Sequence, residues 1–234
     1  FFPHTDRLDY VQPLMNNVGY ALAVEKLAGI EAPPRAQVVR VLLMELSRIM
    51  AHLIYIGTQA IDLGAVTIFF YSFRQRELLY DVIDAYSGHR MNNTYVRIGG
   101  VYADVDEKIA AQVSTFLAQF DASLDELDAL LARNRIWYDR HKDIGVVSKE
   151  HALAMSLSGP IARGSGVDWD LRRDMPYSGY ATYDFEVPIG SVGDCYDRYL
   201  VRMQEMRQSA RIARQALERL KTVKGEVLLE DRRF

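Results

Sequence analysis

The sequence predicts a mainly α-helical protein. Three observations carry this: apolar residues recur at helical spacing through most of the chain, Gly29, Gly64 and Gly88 punctuate the ends of those stretches, and only the short run Asp184–Val187 alternates as a strand would. The segment between residues 134 and 193 is expected to be irregular, with room for that one short strand.

Thr5 or Asp6 can cap a first helix running to about Leu27, with Leu8, Val11, Met15, Val18, Leu22 and Val24 near a period of 3.6 and Gly29 as its stop. Pro33-Pro34 opens a second helix, about Arg35 to Asp62, that is apolar nearly all round and so reads as central. On it Arg48 and His52 share a face, as do Thr58 and Asp62. Phe69-Phe70-Tyr71 leads into a third helix, Arg74 to Tyr86. Residues 88–104 read as connecting structure. Asp104-Val-Asp-Glu107 resembles a capping box, and the helix after it carries one stripe from Ile109 through Phe116 and Phe120 to Leu131. A short helix is expected near Lys149 to Met155. Asp194 caps a final helix to about Leu220, whose arginines (Arg198, Arg202, Arg207, Arg211, Arg214 and Arg219) read as a solvated face or one that meets an acidic subunit surface.

The totals narrow the function. A length of 234 residues fits a single domain, 1–234, and a net charge of −3 gives no basic balance for a nucleic-acid partner. One cysteine, Cys195, excludes an intrachain disulfide and any all-cysteine metal site. The five histidines include no His-x-x-x-His pair, so no metal site is assigned. Phosphate-loop, dinucleotide and nucleophile-elbow motifs are missing from the sequence. The most apolar region, Val38 to Phe73, is broken by Arg40, Glu45, Arg48, His52 and Asp62, a poor match to the roughly 20 apolar residues of a membrane span. The opening Phe1-Phe2-Pro3-His4 lacks Met and a basic leader, and reads as the central portion of a longer subunit.

Two polar groups stand out as candidates for chemistry. Tyr10 is expected one turn into the first helix, and Thr58 with Asp62 on the otherwise apolar second one. A tyrosine and a carboxylate in such places suit a pocket that holds a polar headgroup and handles a proton. Asp62 is flanked by Ile61, Leu63 and Ala65, so it is expected to be paired or to titrate high. Spacing alone favours a core tyrosine and a buried helix-end carboxylate.

A resemblance changes that balance. Asp6-Arg7-Leu8-Asp9-Tyr10, Ala23-Val24-Glu25-Lys26-Leu27, Asp62-Leu63-Gly64-Ala65, Arg97-Ile98-Gly99-Gly100-Val101, Asn134-Arg135-Ile136-Trp137, Arg163-Gly164-Ser165-Gly166 and Gly193-Asp194-Cys195-Tyr196-Asp197-Arg198 run in order along the chain. Together they resemble the D subunit (49-kDa type) of NADH-quinone oxidoreductase, respiratory complex I. The resemblance implies the helical fold of the nickel–iron hydrogenase large subunit, here without its metal, because Asp9 and Gln12 stand where nickel-binding cysteines would be. It implies that quinone is the substrate, that this chain alone binds no cofactor, and that electrons come from an iron–sulfur cluster on the neighbouring B subunit. Tyr10 then matches the tyrosine that hydrogen-bonds the quinone headgroup, and Asp62 the carboxylate that pairs with a cavity histidine. Thr58 and His52 join Tyr10 as quinone-binding residues. Asn92 stands where the family often has a histidine near the cluster. Implied partners are the B, C and I subunits and the membrane H subunit, with peripheral attachment at the cytoplasmic face of a bacterial inner membrane, or the matrix side in mitochondria. The alternatives are a subunit of a ferredoxin- or deazaflavin-linked membrane oxidoreductase, or a purely structural subunit.

Overall fold

A computed structural model describes residues 1–132 and 134–230. It is mainly helical, 66% helix against 2% strand, the mainly α class that the sequence predicts. In chain order the elements are α1 (Phe2–Thr5), α2 (Pro13–Ala28), α3 (Pro34–Asp62), α4 (Val66–Ser87), β1 (Val96–Arg97), β2 (Gly100–Val101) and α5 (Glu107–Ala132). There follow α6 (Arg135–His141), α7 (Lys149–Ala154), α8 (Gly159–Gly164), α9 (Leu171–Asp174), a 3-10 turn (Tyr180–Thr182) and α10 (Cys195–Thr222). They form two compact units: residues 1–51, 76–118 and 210–234, and residues 52–75 and 119–209.

In the first unit α3 is the core. Ala36 and every residue from Val38 to Ser47 are buried, so the helix is covered on all sides. Its charges are paired there. Arg40 grips Glu25 of α2 with two nitrogens, at 3.0 and 2.5 Å, and donates to the carbonyls of Arg97 and Gly100. Glu25 in turn accepts the Gly99 N–H at 2.8 Å. One buried ion pair thus holds the β1–β2 hairpin onto α2 and α3. Removing either partner of such a pair costs about 3–5 kcal/mol, because the other charge is left dry. Leu228 bridges to Gly100, so the chain's far end adds to the same hairpin.

Several expectations shift in detail. Asp106, not Asp104, caps α5, accepting the Ile109 N–H at 2.7 Å; Asp104 accepts the Val105 N–H and pairs with Arg35. The stripe from Ile109 to Leu131 is buried as expected. Helix α4 begins eight residues before Arg74, at Val66, because the aromatic run Phe69-Phe70-Tyr71 is helical. Asp184–Val187 forms no strand, and the strands lie instead at residues 96–101, in what reads as connecting structure.

The second unit holds the irregular segment by side-chain-to-backbone bonds. Asp194 caps α10 through the Asp197 N–H at 2.7 Å and also accepts the Asp143 N–H. Asp197 accepts N–H groups from Ser191, Val192 and Gly193. The arginines of α10 are not a solvated face. In this unit Arg198 donates to the Gly193 and Gly145 carbonyls, Arg202 to His52, and Arg207 to Asp125. In the first unit Arg214 donates to the Leu117 carbonyl.

Candidate functional site

Tyr10 belongs to the first unit and lies outside any helix. Asp9 accepts the Val11 N–H at 3.0 Å, an Asx turn that competes with helix formation, and α2 then starts at Pro13, the position where proline is favoured. The expected helix from Thr5 or Asp6 is therefore broken into α1, a turn and α2. On that turn Tyr10 is 64% exposed, so it is not a core tyrosine. The turn itself is anchored by Asp6, which is fully buried. Asp6 accepts from Asn17 Nδ2 on one oxygen and from the Thr94 N–H and hydroxyl on the other. Thr5 Oγ1 completes the cluster on Asn17 Oδ1. Beside Tyr10, Ser47, Met50, Arg76, Tyr80 and Asn93 line a cavity of only about 10 Å³, space for about one water. Arg76 is fixed there by the Met50 carbonyl and the Tyr80 hydroxyl.

Thr58, Asp62 and His52 belong to the second unit. Asp62 is the last residue of α3, and the helix ends in a Schellman turn: Ala65 N–H bonds Ala60 O at 2.8 Å and Gly64 N–H bonds Ile61 O at 2.9 Å, with Gly64 at φ +83°. Asp62 is exposed, contrary to the burial expected from its apolar sequence neighbours. Of those neighbours only Ile61 lies on α3, and it is itself 39% exposed; Leu63 and Ala65 lie past the end of the helix. Asp62 has no hydrogen-bond or ion-pair partner among the described residues. A carboxylate at a helix C-terminus opposes the macrodipole by about 0.3–1 kcal/mol, so this placement does nothing for α3 itself. Thr58 is also exposed, its hydroxyl turned back onto the Ile54 carbonyl at 2.8 Å.

His52 is different. It is 2% exposed, with Nε2 2.8 Å from Glu205 Oε2 and Nδ1 3.2 Å from Arg202 Nη1. Both ring nitrogens are committed to the protein, so the quinone-binding role expected of His52 does not fit its surroundings. Glu205 Oε1 accepts from Arg163 Nε at 2.6 Å, and Arg163 reaches Asp170 at 3.6 Å. Asp170 is held below its ordinary value. Burial raises it, but the hydrogen bond and charge of Arg172, with the charge of Arg163, outweigh that. Nothing in the local sequence around residue 52 signals this network, because its members come from positions 52, 163, 170, 172, 202 and 205.

Residues 62–234 match the model of a family described as the respiratory-chain NADH dehydrogenase, 49 kDa subunit. The chain belongs to this family. Among 49 kDa subunit relatives, it is 54% identical over 217 residues to the D subunit of NADH-quinone oxidoreductase from Methylacidiphilum infernorum, covering 93% of this chain and 52% of the relative. It is 50% identical over 229 residues to the D subunit from Geotalea uraniireducens, covering 98% of this chain and 58% of the relative. The chain thus spans about half the length of the curated relatives it matches. Among its described residues no helix is long and apolar enough to cross a membrane, and no three His, Cys, Asp or Glu side chains are grouped to hold a metal ion.

Proposed function

We propose that this chain is the part of a proton-pumping NADH:quinone oxidoreductase that lines the quinone reduction site against the iron–sulfur B subunit, in a peripheral arm on the cytoplasmic face of the membrane. The observation that carries the reading is Tyr10, an exposed phenol on a turn anchored by a fully buried carboxylate. Exposure lets it meet a ligand; the Asp6 anchor fixes where it stands.

Quinone reduction adds two electrons and two protons. The electrons come from the neighbouring subunit's cluster; this chain's single cysteine offers no cysteine set to bind one. The protons are the task of this chain. The Tyr10 phenol donates a hydrogen bond, and then a proton, to one quinone oxygen. Asp62, exposed and without a partner among the described residues, pairs with a cavity histidine and keeps that imidazole charged for the second transfer. Thr58, one turn before Asp62, lines the approach.

The test is Tyr10→Phe in the intact complex. Loss of a positioned proton donor is expected to cut quinone reduction by about 100-fold or more, with NADH oxidation by an artificial electron acceptor unchanged. Unaltered quinone turnover removes Tyr10 from the mechanism.

A further inference from the structure

His52 sits between two neighbours with opposite demands. Arginine has only donors, so Arg202 Nη1 at 3.2 Å requires Nδ1 of the imidazole to be the acceptor. The ring proton is then on Nε2 and is donated to Glu205 at 2.8 Å. His52 in this structure is a neutral imidazole next to a carboxylate, although a carboxylate favours the imidazolium. What opposes the charge is the arginine on the other nitrogen.

We propose that His52 is a buried proton-binding site, loaded when Arg202 leaves Nδ1. The step is simple to balance: the Arg202 N–H···Nδ1 bond breaks, one proton from solvent adds to Nδ1, and no other bond changes. The surroundings define where the charge goes. From α10 the ring faces Glu205 and Arg202. Behind Glu205 stands Arg163 of α8, and behind that Asp170 and Arg172 at α9. On α3 itself Tyr55 lies one turn on, with the Arg202 guanidinium 4.0 Å over its ring and Arg198 and Cys195 also near it. Arg202 has a place to retreat to, because the Tyr55 face can keep it while Nδ1 is given up. Burial disfavours the Arg202 charge, against the Glu205 charge and a hydrogen bond to Tyr55 that favour it.

This site does not depend on the quinone reading, and its test needs no quinone. The full chain is labelled with ¹⁵N-histidine; its five histidines give a small spectrum, and His52 is assigned by the resonances lost in His52→Gln. Near neutral pH, Nδ1 is expected to be unprotonated and Nε2 protonated. On acidification Nδ1 takes the proton, and the Tyr55 ring resonances move with the same midpoint. In Arg202→Met, which keeps bulk on Tyr55 without charge, the midpoint is expected to rise by at least about one pH unit, tenfold in proton affinity. An Nδ1–H tautomer in the unaltered chain, or an unmoved midpoint in Arg202→Met, overturns the proposal. If the methionine variant does not fold, the unaltered chain decides: protonation of His52 with Tyr55 unmoved overturns it equally.

Discussion

At residue 6 a single buried carboxylate takes on a structural duty for its neighbour. Asp6 gives one oxygen to Asn17 and the other to the Thr94 N–H and hydroxyl. An asparagine has only one oxygen, so Asp6→Asn turns an amide N–H toward donors it cannot satisfy. A buried unsatisfied group of that kind costs about 1–3 kcal/mol. The denaturant midpoint of Asp6→Asn is expected to fall accordingly, while Leu8→Ala, at a side chain 76% exposed, stays within about 0.5 kcal/mol of the parent. Equal midpoints would mean that the turn bearing Tyr10 is held elsewhere. None of this is legible from spacing. Asp6 reads in sequence as a helix cap, because the competing Asx turn at Asp9 and the partner 88 residues away are both invisible to a periodicity argument. Tyr10 stands out by family resemblance rather than by pattern, and Asp62's sequence neighbours point to burial that the helix end does not provide.

At the scale of elements, helices are far easier to read than their terminal chemistry. The stripe on α5 and the all-round burial of α3 from Val38 to Ser47 are properties of one segment, and both are present in the structure. The hairpin at residues 96–101 is too short to show alternation. It exists because Arg40 and Glu25 seize its backbone from α3 and α2. Its tightest point is Gly100, at φ +153°, where an added Cβ would lie 2.1 Å from the Val227 carbonyl oxygen. Gly100→Ala is expected to cost at least about 2 kcal/mol, read as a lowered unfolding midpoint. Gly19→Ala, inside α2 with open space at the same point, is expected to be neutral or to stabilise by up to about 1 kcal/mol. Similar midpoints for the two variants would show that the hairpin backbone yields.

At the scale of the whole chain, several charges are paired inside each unit, Arg40 with Glu25 in the first and Arg163 with Glu205 in the second. The arginines of α10 resemble a solvated face in the sequence because their partners sit far off along the chain, at positions such as 52 and 125. This has a consequence in acid. Asp170 titrates below its ordinary value of 3.8 in the folded chain. Its contribution to stability is therefore complete above that value and is lost as the pH falls through the lower folded value. Unfolding midpoints measured from pH 6 downward are expected to drop more steeply below about pH 4 in the parent than in Asp170→Asn. Parallel curves would assign the acid sensitivity to other carboxylates.

The Leu228–Gly100 bridge has a bearing on how the chain is made. The first unit takes segments from the start of the sequence and from residue 210 onward, while the second ends at residue 209. During synthesis the second unit can therefore be complete while the first still lacks its last segment. At about 5–20 residues per second, Gly100 emerges and waits on the order of ten seconds for Leu228. Through that interval the hairpin has the Arg40–Glu25 clamp but not its final edge. Nascent-chain truncations before residue 227 should be where a chaperone finds this protein most exposed.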